Sequence, residues 1–145
     1  RLRSRGLGDV YKRQIDNEST MRSNADKKVL QYIEAMNITS KYIEKQHENV
    51  QLAFNDYILM HLNIACVRGI FCVNNKENYV KKIEHIKKII NTPVFKDAIK
   101  KFHIKNNFSA RTLPVFFMKY KLVHIASIIY IVRAYQNYIY EKSRN

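Results

Sequence analysis

The stretch Tyr79-Val80-Lys81-Lys82-Ile83-Glu84-His85-Ile86-Lys87-Lys88-Ile89-Ile90, followed by Asn91-Thr92-Pro93, decides the fold. Val80, Ile83, Ile86 and Ile90 recur at the spacing of one helix face, while Lys81, Lys82, Glu84, Lys87 and Lys88 cover the rest. The pairs Glu77–Lys81 and Glu84–Lys88 place the acid one turn before the base, the favourable order on a helix. Asn74, with Glu77 three residues on, reads as the cap that opens this helix. Thr92-Pro93 reads as the N-cap and first residue of the next, running to about Phe102.

Upstream, Ser23 with Asp26 has the form of a capping box for a helix to about Gln46, with Val29, Ile33, Met36 and Ile43 on one face. A further helix is expected from about His47 to Val73, burying Val50, Phe54, Tyr57, Ile58 and Leu62, with Gly69 kinking it or ending it early. Downstream, Asn106-Asn107 interrupts the pattern. Thr112-Leu113-Pro114 then starts a last helix that reaches about Lys142. Its stretch from Leu122 to Val132 has eleven residues without a formal charge. A bilayer span needs about 20 apolar residues. Flanked by Lys119, Lys121 and Arg133, this stretch is too short to cross, so it packs in a core or lies on a membrane surface.

Composition agrees with helices and excludes much else. The chain has 145 residues, 46% apolar, with three glycines and two prolines. Barrels, sandwiches and Gly-rich phosphate loops consume far more of both turn residues. The expected architecture is all-α, an irregular bundle of four or five helices with no sheet.

Residues 1–14 stand apart. Ser4 to Gln14 is similar, over eleven consecutive codons, to the in-frame translation of a transposon-derived sequencing adapter. No apolar segment follows, so it does not read as a signal peptide. The segment is expected to be a scar, extended or detached, preceding a single helical domain at 15–145 that belongs to a longer protein. Its five basic residues and one acid account for four of the chain's +14 net charge, leaving +10. That charge is unevenly placed: 15–75 carries −1, 76–105 carries +6 and 106–145 carries +5.

Catalytic and metal-binding patterns are weak. Cys66 and Cys72 lie six apart without zinc-site spacing and read as buried reduced thiols, as in a cytoplasmic compartment. His47, His61, His85, His103 and His124 fall on separate elements with no shared spacing. Asp56 lies beside an apolar stripe, and no Asp-x-Asp occurs. No catalytic, cofactor-binding or metal-ligating residue is assigned. The basic face is the main feature: Lys81, Lys82, Lys87, Lys88, Lys100, Lys101, Lys119 and Lys121 are the candidate anionic-surface residues. A solvated face that keeps helices soluble and a binding face both fit them. Lys without Arg between 76 and 105 suits diffuse attraction to lipid headgroups better than bidentate reading of nucleic acid. Tyr120, Tyr130, Tyr135, Tyr138 and Tyr140 crowd the last helix, where interfacial anchoring or a core rim would place them.

The order of segments, Asn17-Glu-Ser-Thr-Met-Arg-Ser23, a helical pair, a Lys-rich helix and the closing Leu113-Pro-Val-Phe-Phe-Met-Lys-Tyr-Lys-Leu-Val-His-Ile-Ala-Ser-Ile-Ile-Tyr-Ile-Val-Arg133, resembles the C-terminal tail of bacterial family 2 glycosyltransferases. The resemblance covers most of residues 16 to 140. It implies a parent enzyme that moves a sugar from a nucleotide-activated donor in cell-surface polysaccharide synthesis, at the cytoplasmic membrane face. The divalent metal, the nucleotide-sugar and the catalytic base then belong to an upstream domain, the first partner of this region. An anionic membrane surface is the second. The competing reading is a basic helical module for nucleic acid or an acidic protein.

Overall fold

The computed structural model describes residues 25–103 and 109–144. The expected scar, Ser23 of the expected capping box and the Asn106-Asn107 break lie outside the described residues. Among the described residues six α-helices follow in order: α1 (Ala25–Ile43), α2 (Glu48–Ile64), α3 (Tyr79–Ile90), α4 (Pro93–Lys101), α5 (Leu113–Lys119) and α6 (Val123–Lys142). A π-helical segment, Ala65–Ile70, continues α2. The fold is all-α, with no strand among the described residues.

The helix count corrects the expected four or five. The last helix splits in two because Lys121 takes a left-handed backbone, φ 61°. The amide of Leu122 donates to the carbonyl of Phe117 at 2.8 Å, and that of Lys121 to Met118 at 3.0 Å. Those two bonds are a Schellman motif, which glycine normally ends because a Cβ is strained there. Lysine occupies the position instead, so the sequence carries no stop signal.

Two burial expectations also change. In α2 the inward residues are Ile58, Leu59, Leu62 and Asn63, while Val50 and Tyr57 are 42% and 49% exposed. The buried arc is therefore turned away from the Val50–Tyr57 line. The rod ends at Ile70 instead of Val73, with the Phe71 amide on the Cys66 carbonyl at 2.8 Å, an i+5 bond. Its wider turn directs Cys66, Val67, Ile70 and Phe71 inward together. The rod thus ends early, one residue past Gly69, as expected at that glycine, where an added Cβ would meet nothing within 4 Å.

In α3 the cap is Asn78, whose side-chain oxygen accepts from the Lys81 amide at 2.9 Å, and not Asn74. The inward residues are Ile83, His85, Ile86 and Ile89, and Val80 is 63% exposed. Val80 lies on the same side of the helix as Glu84, Lys87 and Lys88, away from the arc of Ile83, His85, Ile86 and Ile89. Glu77 precedes the helix and turns to His85. Pro93 opens α4, as its sequence indicates.

The core draws on every helix. Val29 and Met36 of α1 meet Ile58, Leu59 and Leu62 of α2, Ile86 and Ile89 of α3, and Phe95, Ala98 and Ile99 of α4. Val115 and Met118 of α5, with Ala126, Tyr130 and Ala134 of α6, close the other side. Helix α4 packs on α1, α2, α3 and α5, and α6 packs on α3, α5 and the π segment.

Candidate functional site

Helices α3 and α4 pack together, each burying one face and turning the opposite one to solvent. That amphipathicity is what places lysines on two neighbouring outer faces. Lys81, Lys87, Lys88 and Lys100 are exposed there, with no side-chain partner among the described residues. Glu84 and Asp97 are the acids on the same two faces.

The other four candidate lysines have work within the fold. Lys82 is half-buried and donates to the Asn75 carbonyl at 2.8 Å. Lys119, also half-buried, donates to the Phe102 carbonyl at 2.6 Å, placing a cation at the C-terminus of α4. Lys101 pairs with Asp97 at 2.7 Å, one turn apart and both exposed. Lys121 holds the left-handed position between α5 and α6.

Lys82 belongs to a latch between the π segment and α3. Asn75 donates to the Ile70 carbonyl at 2.9 Å and to Glu77 at 3.3 Å. The Glu77 amide donates to the Asn75 side-chain oxygen at 3.0 Å, and Glu77 meets the buried His85 at 3.1 Å. These contacts stitch the 71–78 loop to α3. No sequence spacing announced the Glu77–His85 pair, because it forms only when the loop folds back on the helix.

A second polar cluster lies in the core. The Tyr130 hydroxyl donates to Asn63 at 2.6 Å, and Asn63 donates to the Arg111 carbonyl at 2.8 Å. Cys66 is buried where the π segment packs against α6, the helix that carries Tyr130. Burial pushes the Cys66 thiol from its ordinary 9.0 up to about 12, with Tyr130 opposing part of the rise. Burial likewise holds the Tyr130 phenol well above 10.0, with Cys66 adding to the rise and Arg133 opposing it. Both groups remain protonated near neutrality, and the Tyr130 hydroxyl is a structural donor. Cys72 is half-buried, and both thiols are free.

The remaining polar candidates are dispersed. His47 caps α2, His61 and His103 contact nearby carbonyls, and His124 meets the Tyr79 hydroxyl at 3.0 Å. Asp56 is exposed. Among the described residues no three His, Cys, Asp or Glu side chains gather as a metal-ligand group. An open depression of about 530 Å³ lies along Ile38, Lys41, Tyr42 and Lys45, and another of about 320 Å³ lies between Cys72, Tyr79, Lys82 and Tyr135. Among the described residues neither has a carboxylate or histidine on its wall.

Helix α6 presents Tyr130 inward, while Tyr135, Tyr138 and Tyr140 face solvent, as does Tyr120 before it. Ile128 is 58% exposed, whereas Phe116 and Phe117 are half-buried. Among the described residues no helix is long and apolar enough to cross a membrane. Comparison of the chain with protein-family models, with curated proteins and with solved structures finds no match.

Proposed function

We propose that this chain is the helical accessory region of a glycosyltransferase of cell-surface polysaccharide synthesis, and that it holds the enzyme against an anionic membrane face. The observation that carries the membrane part is the outward set Lys81, Lys87, Lys88 and Lys100 on the paired helices α3 and α4. Each lysine near a negatively charged leaflet contributes about 1 kcal/mol, and four acting together suffice for reversible adsorption. The glycosyltransferase part rests on the order of segments in the sequence. In that reading, sugar transfer, nucleotide-sugar binding and divalent-metal binding reside in the upstream domain, and location is at the cytoplasmic face.

Vesicle co-sedimentation tests the membrane part. Phosphatidylglycerol-containing vesicles are expected to retain the chain at low salt, phosphatidylcholine vesicles are not, and added salt is expected to release it. Equal retention by both lipids overturns the electrostatic reading. Tighter binding to RNA or DNA than to anionic lipid favours the nucleic-acid module instead. The coding sequence upstream of residue 15 tests the parent enzyme: an α/β nucleotide-sugar domain with Asp-x-Asp is expected there.

A further inference from the structure

The outer side of α6 carries Ile125, Ile128, Val132, Tyr135 and Ile139, each between 42% and 58% exposed. Their separations are three, four, three and four residues, the a/d spacing with which one helix meets another in a coiled-coil seam. A membrane-inserted face is a broader arc with cationic flanks along its length. Here no formal charge occurs from Leu122 to Val132. The first charge, Arg133, turns aside to donate to the Ala110 carbonyl at 3.0 Å.

The seam runs about 21 Å along the helix. With the flanking Leu122 and Ile131, also exposed, it offers on the order of 600 Å² per copy, close to the roughly 800 Å² per partner of a standard interface. Such a patch is at the upper end of what a monomer leaves uncovered. Helix α2 repeats the spacing at Val50, Tyr57, Met60 and Ile64, but Tyr57 is already flanked by the rings of Phe54 and His61, the latter at 3.9 Å. The α6 seam is the stronger of the two.

We propose that α6 pairs through this seam with the α6 of a second copy of the chain. The pairing is isologous, so one self-complementary stripe serves both partners without burying a charge. Net positive charge on each copy opposes approach, and salt screens it. Self-association therefore strengthens with salt, whereas adsorption to anionic lipid weakens, so the two proposals fail separately.

Light scattering on the full chain provides the test. The expected mass is twice 17.3 kDa, with the dimer fraction rising with concentration and with salt. The double variants Ile128→Glu/Val132→Glu and Ile128→Lys/Val132→Lys are each expected to weaken association by at least about 100-fold through like-charge opposition. Both positions are half or more exposed, so circular dichroism should be unchanged. Mixing the two variants is expected to restore a species of dimer mass, a result that misfolded chains would not give. A chain that stays monomeric at all concentrations and salts overturns the proposal. So does a dimer that persists in both double variants, since a different occupant, such as residues 1–24 or lipid, would then cover the seam.

Discussion

Helices α3 and α6 obey the same rule on the inside and opposite rules on the outside. Each buries one arc: Ile83, His85, Ile86 and Ile89 in α3, and Val123, Ala126, Ser127, Tyr130 and Ala134 in α6. The outer arc of α3 is Lys81, Glu84, Lys87 and Lys88 around one valine, whereas that of α6 is isoleucine, valine and tyrosine. The inner arc of α6 is mostly small residues, which lets α5 and the π segment approach closely, with Tyr130 supplying the bulk. Burial follows packing, while the outer arc is free to differ in composition, mostly charged in α3 and mostly apolar in α6.

The largest effects should come from the inner arcs, equally on both helices. Ile86 and Tyr130 are 0% and 1% exposed. Ile86→Ala is expected to cost about 2–5 kcal/mol and Tyr130→Ala about 3–5 kcal/mol in chemical denaturation, from lost burial plus an unfilled cavity. Leu62→Ala should fall in the same range. An inner-arc truncation under about 1 kcal/mol would break the comparison, because it would place that helix outside the core.

The inner arcs should also separate by pH. Cys66 and Tyr130 are buried where α6 packs on the π segment, and Tyr32, whose phenol burial likewise holds above its ordinary range, donates to the Ile58 carbonyl at 3.2 Å. A thiol that titrates at 9.0 when unfolded and at about 12 when folded keeps its proton in the native state after the unfolded chain has lost it. Its contribution is complete below pH 9 and declines as pH rises toward 12, by about 1.4 kcal/mol per pH unit. The two tyrosines add the same sign of slope above pH 10. Urea titrations from pH 8 to 11 should show stability falling steeply, and Cys66→Ala should make the slope shallower. A flat profile would mean that these groups are solvated.

Periodicity located the elements well and their orientation unevenly. Where lysines alternate with isoleucines, as in α3, pattern and burial agree at Ile83 and Ile86 because the charged side must face water, but the buried arc takes Ile89 and leaves Ile90 half-buried. In α6 both sides are apolar, so residues at positions 125 and 126 look equally inward, and only packing shows that Ala126 is buried and Ile125 is not. The Lys121 turn was invisible for a similar reason: the left-handed position is marked by glycine when it is marked at all. Of the candidate lysines, the chemistry of the group was legible and the commitment of Lys82 and Lys119 to backbone carbonyls was not, since those partners lie in the preceding loop and another helix.

That turn gives a mid-sized test of the boundary between α5 and α6. Lys121→Gly should stabilise the chain by about 1 kcal/mol, since a Cβ in the left-handed region costs roughly 1–2 kcal/mol and part of that is returned as unfolded-chain entropy. Gly69→Ala should stabilise by about 0.5–1 kcal/mol for the opposite reason, a helical backbone with room for a methyl group. Thermal melts decide both. Destabilisation by Lys121→Gly would argue that the ammonium makes a contact worth more than the strain.

The smallest expected effect on stability is also the one that isolates the outer arc of α3. Lys87 and Lys88 are exposed and lie in the last turn of the helix, where a cation interacts favourably with the macrodipole. Neutralising both, as Lys87→Gln/Lys88→Gln, removes that interaction but also relieves repulsion within a strongly positive chain. The two terms oppose, so unfolding free energy should change by no more than about 0.5 kcal/mol. Adsorption to phosphatidylglycerol vesicles has no such compensation: losing two contributions of about 1 kcal/mol should weaken it on the order of 30-fold at low salt. The α6 seam lies on another helix, so the dimer mass should persist in this variant. A variant that keeps its vesicle affinity would show that the outer arc of α3 is only a solvated surface, and the distinction between the two helices would then rest on α6 alone.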